Sequence, residues 1–66
     1  MNIVLNGKAR IIHMGATVQD LLTELDYVGK RIAVEINGEI VPKSEHDTRV
    51  LQERDHVEIV VAVGGG

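Results

Sequence analysis

The sequence predicts an α+β fold, a mixed sheet of four to five strands with one main helix packed on one face. Three observations point there. Asn-Gly pairs stand at Asn6-Gly7 and Asn37-Gly38, each between runs that alternate apolar and polar residues. Between them, Thr17 to Asp26 switches to a helical spacing of apolar residues. The last segment, Val57 to Val63, is apolar on nearly both of its faces. The chain has 66 residues, 44% of them apolar. That supports one core of marginal stability, on the order of 3–5 kcal/mol. Tyr27 is its only aromatic residue, so the core is aliphatic.

The elements follow in order. Met1, Ile3 and Leu5 share one face of a first strand, with Asn2 and Val4 on the other. After the Asn6-Gly7 turn, Lys8 to His13 returns as a second strand, and Met14-Gly15-Ala16 breaks the pattern. Val18, Leu21, Leu22 and Leu25 form the apolar stripe of a helix; Thr17 is its N-cap and Asp20 the far corner of a capping box. Gly29, followed by Lys30 and Arg31, is the expected helix stop. Ile32 to Ile36 and Glu39 to Val41 form a second hairpin, which Pro42 terminates because it lacks an N–H. Lys43 to Glu53 reads as a packed connection with a short helical turn. The final strand carries Val57, Ile59, Val61 and Val63 on one face, with Glu58, Val60 and Ala62 on the other, which suits a central position. Paired parallel to the first strand, it completes a β-grasp sheet. Residues 1–63 are expected to form a single domain and residues 64–66 a flexible, reactive tail.

Composition excludes several function classes. Seven basic against ten acidic residues give a net charge of −3, and with one aromatic residue neither a basic footprint nor a stacking platform for nucleic acid exists. The absence of cysteine removes thiolate metal sites and a cysteine nucleophile. The longest apolar run, Ile59 to Val63, is far short of the roughly 20 residues of a membrane span. The opening Met1-Asn2-Ile3 has no signal-like pattern, so a cytoplasmic location is expected. His13, His46 and His56 lack ligand spacing and are expected to be solvent-facing or half-buried. Ser44 sits in a polar loop with no recognisable base, so no catalytic residue and no bound metal are expected.

Gly64-Gly65-Gly66 is the exception. Glycine costs the most backbone entropy to order, so such a tail adds nothing to folding. Without Cβ atoms, however, Gly64 and Gly65 can thread a narrow channel in another protein, and the α-carboxylate of Gly66, with a reference pKa near 3.5, can serve there as an oxygen nucleophile. Val4, Val60 and Ala62 lie on the face the helix leaves open and form a candidate partner-binding surface.

These residues resemble the ThiS family of sulfur carriers from thiamin biosynthesis, β-grasp proteins related to MoaD. The likeness covers essentially the whole chain. It rests on Asn6-Gly7, on Thr17-Val18 before Leu21-Leu22 and Leu25, on Ala33 to Pro42, and on Val57-Glu58-Ile59-Val60 leading to the glycines. The resemblance implies no bound cofactor. It implies a ThiF-like partner that uses ATP and Mg²⁺ to adenylate Gly66, sulfur from a cysteine desulfurase route that replaces AMP, and a ThiG-like thiazole synthase that takes the sulfur. Relatives commonly place Gly-Asp before the last strand, where this chain has Arg54-Asp55. If that turn needs a positive φ, Arg54 is strained by about 1 kcal/mol. Relatives also often have an aromatic residue near His46, which is missing here and leaves the connection less firmly packed. A MoaD-like carrier for molybdopterin, a ubiquitin-like protein modifier and a plain β-grasp interaction module are the alternatives.

Overall fold

The computed structural model describes residues 1–62. Five strands, β1 (Asn2–Leu5), β2 (Lys8–Ile11), β3 (Ile32–Ile36), β4 (Glu39–Val41) and β5 (His56–Val61), form one sheet in the order β2-β1-β5-β3-β4. The helix α1 (Val18–Glu24) follows β2. β5 is central, as its two apolar faces predict. It runs parallel to β1, with Val4 opposite His56, and antiparallel to β3, with Ala33 opposite Val60. This is the β-grasp arrangement.

Local chemistry explains most element boundaries. Asn6 and Gly7 have φ of 49° and 81°, and Asn37 and Gly38 have 52° and 86°. Positive φ at both central residues matches the right-handed twist of the strands that each turn joins. At the start of α1 the capping box is complete: the Asp20 N–H donates to Thr17 Oγ1 at 3.1 Å, and the Thr17 N–H donates to Asp20 Oδ2 at 2.9 Å. The second of these bonds holds the Asp20 carboxyl below its usual pKa, because it stabilises the ionised form. Val18, Leu21 and Leu22 are buried against Ile3, Val34, Ile36, Val57 and Ile59 from the sheet. Each such side chain contributes about 1.5–3 kcal/mol by leaving water.

Three expectations need correction. The helix stops before Gly29. Asp26 takes φ of 60°, its N–H donates to the Thr23 carbonyl, and the Tyr27 N–H donates to the Leu22 carbonyl. That is a Schellman cap with aspartate in the left-handed position, reached as soon as the stripe ends at Leu25. Gly29 instead serves the turn into β3, with φ of 85°. The second strand ends at Ile11, after which Ile12 turns into the core at 3% exposure. His46 is neither solvent-facing nor half-buried but 6% exposed, with Nε2 3.1 Å from the Val41 carbonyl. A carbonyl can only accept, so Nε2 carries the proton. The expected helical turn is present as a 3₁₀ turn at Lys43–Glu45.

β5 is longer than both β1 and β3, and one asparagine side chain makes up the difference on each edge. Beyond the last β1 pairing, Asn6 Oδ1 accepts the Ile59 N–H at 2.9 Å and Asn6 Nδ2 donates to the Ile59 carbonyl at 3.3 Å. An amide side chain thus stands in for a strand residue. On the other edge, Asn37 Oδ1 accepts the His56 N–H at 3.0 Å, and Asn37 Nδ2 donates to Asp55 Oδ1 at 3.0 Å. The buried Asp55 carboxylate also accepts the Gln52 N–H at 2.8 Å, which shapes the turn before β5. In that turn Arg54 has φ of 67°, in the left-handed region that glycine enters without strain.

Two outcomes follow from these contacts. Arg54→Gly removes left-handed strain of about 1–2 kcal/mol and adds back about 0.5–1 kcal/mol of unfolded-chain entropy. Thermal unfolding is expected to show a gain of roughly 0.5–1 kcal/mol, a rise in midpoint of a few degrees; an unchanged or lower midpoint refutes the strain argument. Asn6→Gly keeps the turn conformation but deletes the amide. Hydrogen exchange of the Ile59 N–H is expected to accelerate by about fivefold relative to that of Val34, in keeping with loss of a bond worth about 1 kcal/mol.

Candidate functional site

Gly64, Gly65 and Gly66, the residues expected to carry the chemistry, lie outside the described residues, as does Val63. What the structure defines is their support. β5 is held on one side by β3 as far as Ala62, whose N–H donates to the Arg31 carbonyl at 2.8 Å. On the other side β1 and the Asn6 amide hold it as far as Ile59. Its core-facing residues Val57 and Ile59 are 1% and 6% exposed. The strand that leads to the glycines is therefore the most heavily anchored in the sheet, and its end is positioned by the fold rather than by a loop.

The sheet face opposite α1 is open, and alternation places Val4, Val60 and Ala62 on it as expected. They do not form one contiguous group. Val4 is level with His56, and Val60 lies four residues further along β5, about 13 Å away at the usual strand rise. Val60 and Ala62 instead stand together at the tail end of β5, with Ala33 of β3 directly opposite Val60. Further back on this face Glu35 is paired with Glu58, and Ile40 of β4 is paired with Glu35. Val60 and Ile40 are 59% and 71% exposed. Ala33, Glu35 and Ile40 belong to the surface although sequence reasoning did not assign them to it. Period-2 counting along the second hairpin was the available signal.

The other candidates stay apart. His13 and His56 are exposed, and His13 approaches Asp20 and Glu24 at 3.8 Å each. Solvent-exposed pairs of this kind contribute little. Ser44 is exposed in the 3₁₀ turn, and its hydroxyl bonds no histidine or carboxylate among the described residues. Among the described residues no three histidine, aspartate or glutamate side chains gather as a metal site. None of the described helices is long and apolar enough to cross a membrane.

Comparison with known proteins adds the family. The ThiS family model matches residues 3–66. The chain is 42% identical over its full length to a protein of Paramagnetospirillum magneticum named thiazole synthase, and it spans about a fifth of that protein (20%). It is 32% identical to the sulfur carrier protein ThiS of Escherichia coli, with all of both chains covered. The crystal structure of the thiamine biosynthesis protein ThiS from Geobacter metallireducens superposes with a TM-score of 0.84 at 30% identity, again over the whole of both chains. Sheet order, the two asparagine turns and a match that runs from the first strand through the glycines agree in one assignment: the chain belongs to the ThiS family.

Proposed function

We propose that this chain is a sulfur carrier of thiamin biosynthesis, a protein co-substrate rather than an enzyme, with the acyl carbon of Gly66 as the cargo site. The observation that supports this most is the full-length likeness to the ThiS protein of Escherichia coli, in a chain whose central strand leads straight into Gly64-Gly65-Gly66. Residues 1–63 are the handle and residues 64–66 the working end. The Gly66 carboxylate attacks the α-phosphorus of ATP in an activating partner of the ThiF type, with Mg²⁺ supplied there, and pyrophosphate leaves. The terminal sulfur of a persulfide from a cysteine desulfurase route then attacks the acyl carbon and expels AMP, and a thiol cleaves the resulting acyl disulfide, leaving a thiocarboxylate on Gly66 and a disulfide on the donor. The mixed anhydride divides one hard exchange of oxygen for sulfur into two easier steps.

The chain's own contribution is placement. A partner that grips the sheet fixes where the tail begins, and a side-chain-free tail then reaches a buried active site. The absence of cysteine suits this role, because the only sulfur able to react as a thiol is the one carried at the terminus. The likeness to thiazole synthases of which the chain spans a fifth supports a thiazole synthase of the ThiG type as the acceptor. A cytoplasmic location accords with such partners.

Intact-mass analysis of protein from cells with an active thiamin pathway is expected to show a gain of about 16 Da, the replacement of one oxygen by sulfur at the activated acyl group. Oxidation of Met1 or Met14 adds a similar mass, so the gain must map to the final peptide and take a thiol-reactive label. Deleting Gly65 and Gly66 is expected to abolish both the label and sulfur transfer; transfer that persists refutes the reading. Val60→Asp places a charge on the exposed aliphatic end of the open sheet face. It is expected to slow adenylation by the purified activating partner several-fold with an unchanged unfolding midpoint, whereas unaltered kinetics would remove Val60 from the docking surface.

A further inference from the structure

The sheet edge at β3 is left unfinished beside the end of β5. β4 pairs with β3 only from Val34 to Ile36, because Pro42 follows Val41 and turns the chain into the 3₁₀ turn. Alternation then fixes where the main chain of Ile32 points. The Arg31 carbonyl accepts from Ala62, so Arg31 and Ala33 face β5 and Ile32 faces the opposite way, toward the space a longer β4 would occupy. Neither the N–H nor the carbonyl of Ile32 has a hydrogen-bond partner on that side among the described residues.

That space is a groove of about 890 Å³ between the 27–31 loop and the 3₁₀ turn. Leu22, Tyr27 and Ile32 give it an apolar floor. Lys30, Arg31 and Lys43 line it as well, against a single carboxylate, Asp47. None of the three cations forms an ion pair among the described residues, although Lys30 Nζ stands 5.7 Å over the Tyr27 ring. In a chain with a net charge of −3, this is a local concentration of positive charge around a free strand edge.

We propose that this groove seats an extended acidic segment of a protein partner, which adds as a short strand to β3 at Ile32. The free main-chain edge selects an extended peptide, the floor takes its aliphatic side chains, and the three cations select carboxylates flanking them. The site is distinct from the acidic middle of the open sheet face, where Glu35 is paired with Glu58. It adjoins the end of β5, since Val60 and Ala62 also border it. A partner can therefore grip the edge of the sheet next to the point where the tail departs. The inference does not depend on what chemistry the tail carries.

The test is a titration of the isotope-labelled 66-residue chain with an acetylated and amidated peptide, Asp-Glu-Val-Ile-Val-Asp, followed by amide chemical shifts. Saturable shifts are expected at Ile32, Arg31, Lys43 and Gln19. Affinity is expected to fall about tenfold or more in the double variant Lys30→Glu, Lys43→Glu, two exposed positions whose change leaves the rest of the spectrum in place. N-methylation of the peptide's central isoleucine is expected to weaken binding comparably. Four results would overturn the proposal. The peptide with lysine in place of its acidic residues could bind equally well, or the shifts could centre on Ile11 and Ile40. Deletion of residues 64–66 could raise the peptide's affinity several-fold, which would show that the chain's own tail competes for the groove. Finally, the same residues could shift with protein concentration alone, which would make a second copy the occupant. No activating enzyme takes part, so a failure here leaves sulfur carriage standing, and loss of the Gly66 thiocarboxylate reading leaves this binding measurement intact.

Discussion

The structure depends on one constraint: its most apolar strand must have its main-chain groups paired on both edges, although the neighbouring strands are shorter than it is. Buried N–H and carbonyl groups without partners are costly, typically about 1–3 kcal/mol each. β5 meets this requirement by combining a parallel partner, an antiparallel partner and two asparagine side chains that act as surrogate peptide groups. Everything else in the fold is arranged around that strand. The helix covers its inner face, both hairpins flank it, and the buried Asp55 shapes the turn that delivers it to the sheet.

What could be read from the sequence divides along the range of the interactions. The Thr17–Asp20 capping box and the two Asn-Gly turns are local, involving residues a few positions apart, and their residue types announce them. The central placement of β5 was legible because the strand is apolar on nearly both faces, although only its helix-facing side, Val57 and Ile59, is buried and Val60 on the other side is exposed. The asparagine amides were not legible in their second role. Their contacts with Ile59 and His56 span 53 and 19 residues, and the same Asn-Gly pair satisfies the turn rule whether or not the side chain reaches a strand. Asp26 illustrates a third case. A left-handed helix cap is expected at glycine, yet here the end of the apolar stripe decides the position, and aspartate tolerates the conformation closely enough to accept it.

The candidate site was legible in a different way. No periodicity or spacing identifies a carboxylate as cargo; glycine at the tail permits the chemistry without specifying it, and the family resemblance supplied the rest. The candidate docking surface fell between these extremes. Alternation correctly put Val4, Val60 and Ala62 on the open face, but a face is not a patch. Parallel register, which residue types do not encode, sets Val4 beside His56 and leaves Val60 with Ala33. Two chemically different surfaces result. The middle of the sheet face is acidic and aliphatic, whereas the edge beyond Pro42 is basic with a free main-chain position.

The pairing of β1 with β5 joins segments more than fifty residues apart. Such non-local contacts close slowly, because a long loop must be ordered before any of them forms. No stable sheet can therefore assemble until β5 has been synthesised, and a product that breaks off before it has no centre around which to condense. The same pairing is a completeness check built into synthesis: only translation that has run through the fifth strand yields a folded sheet.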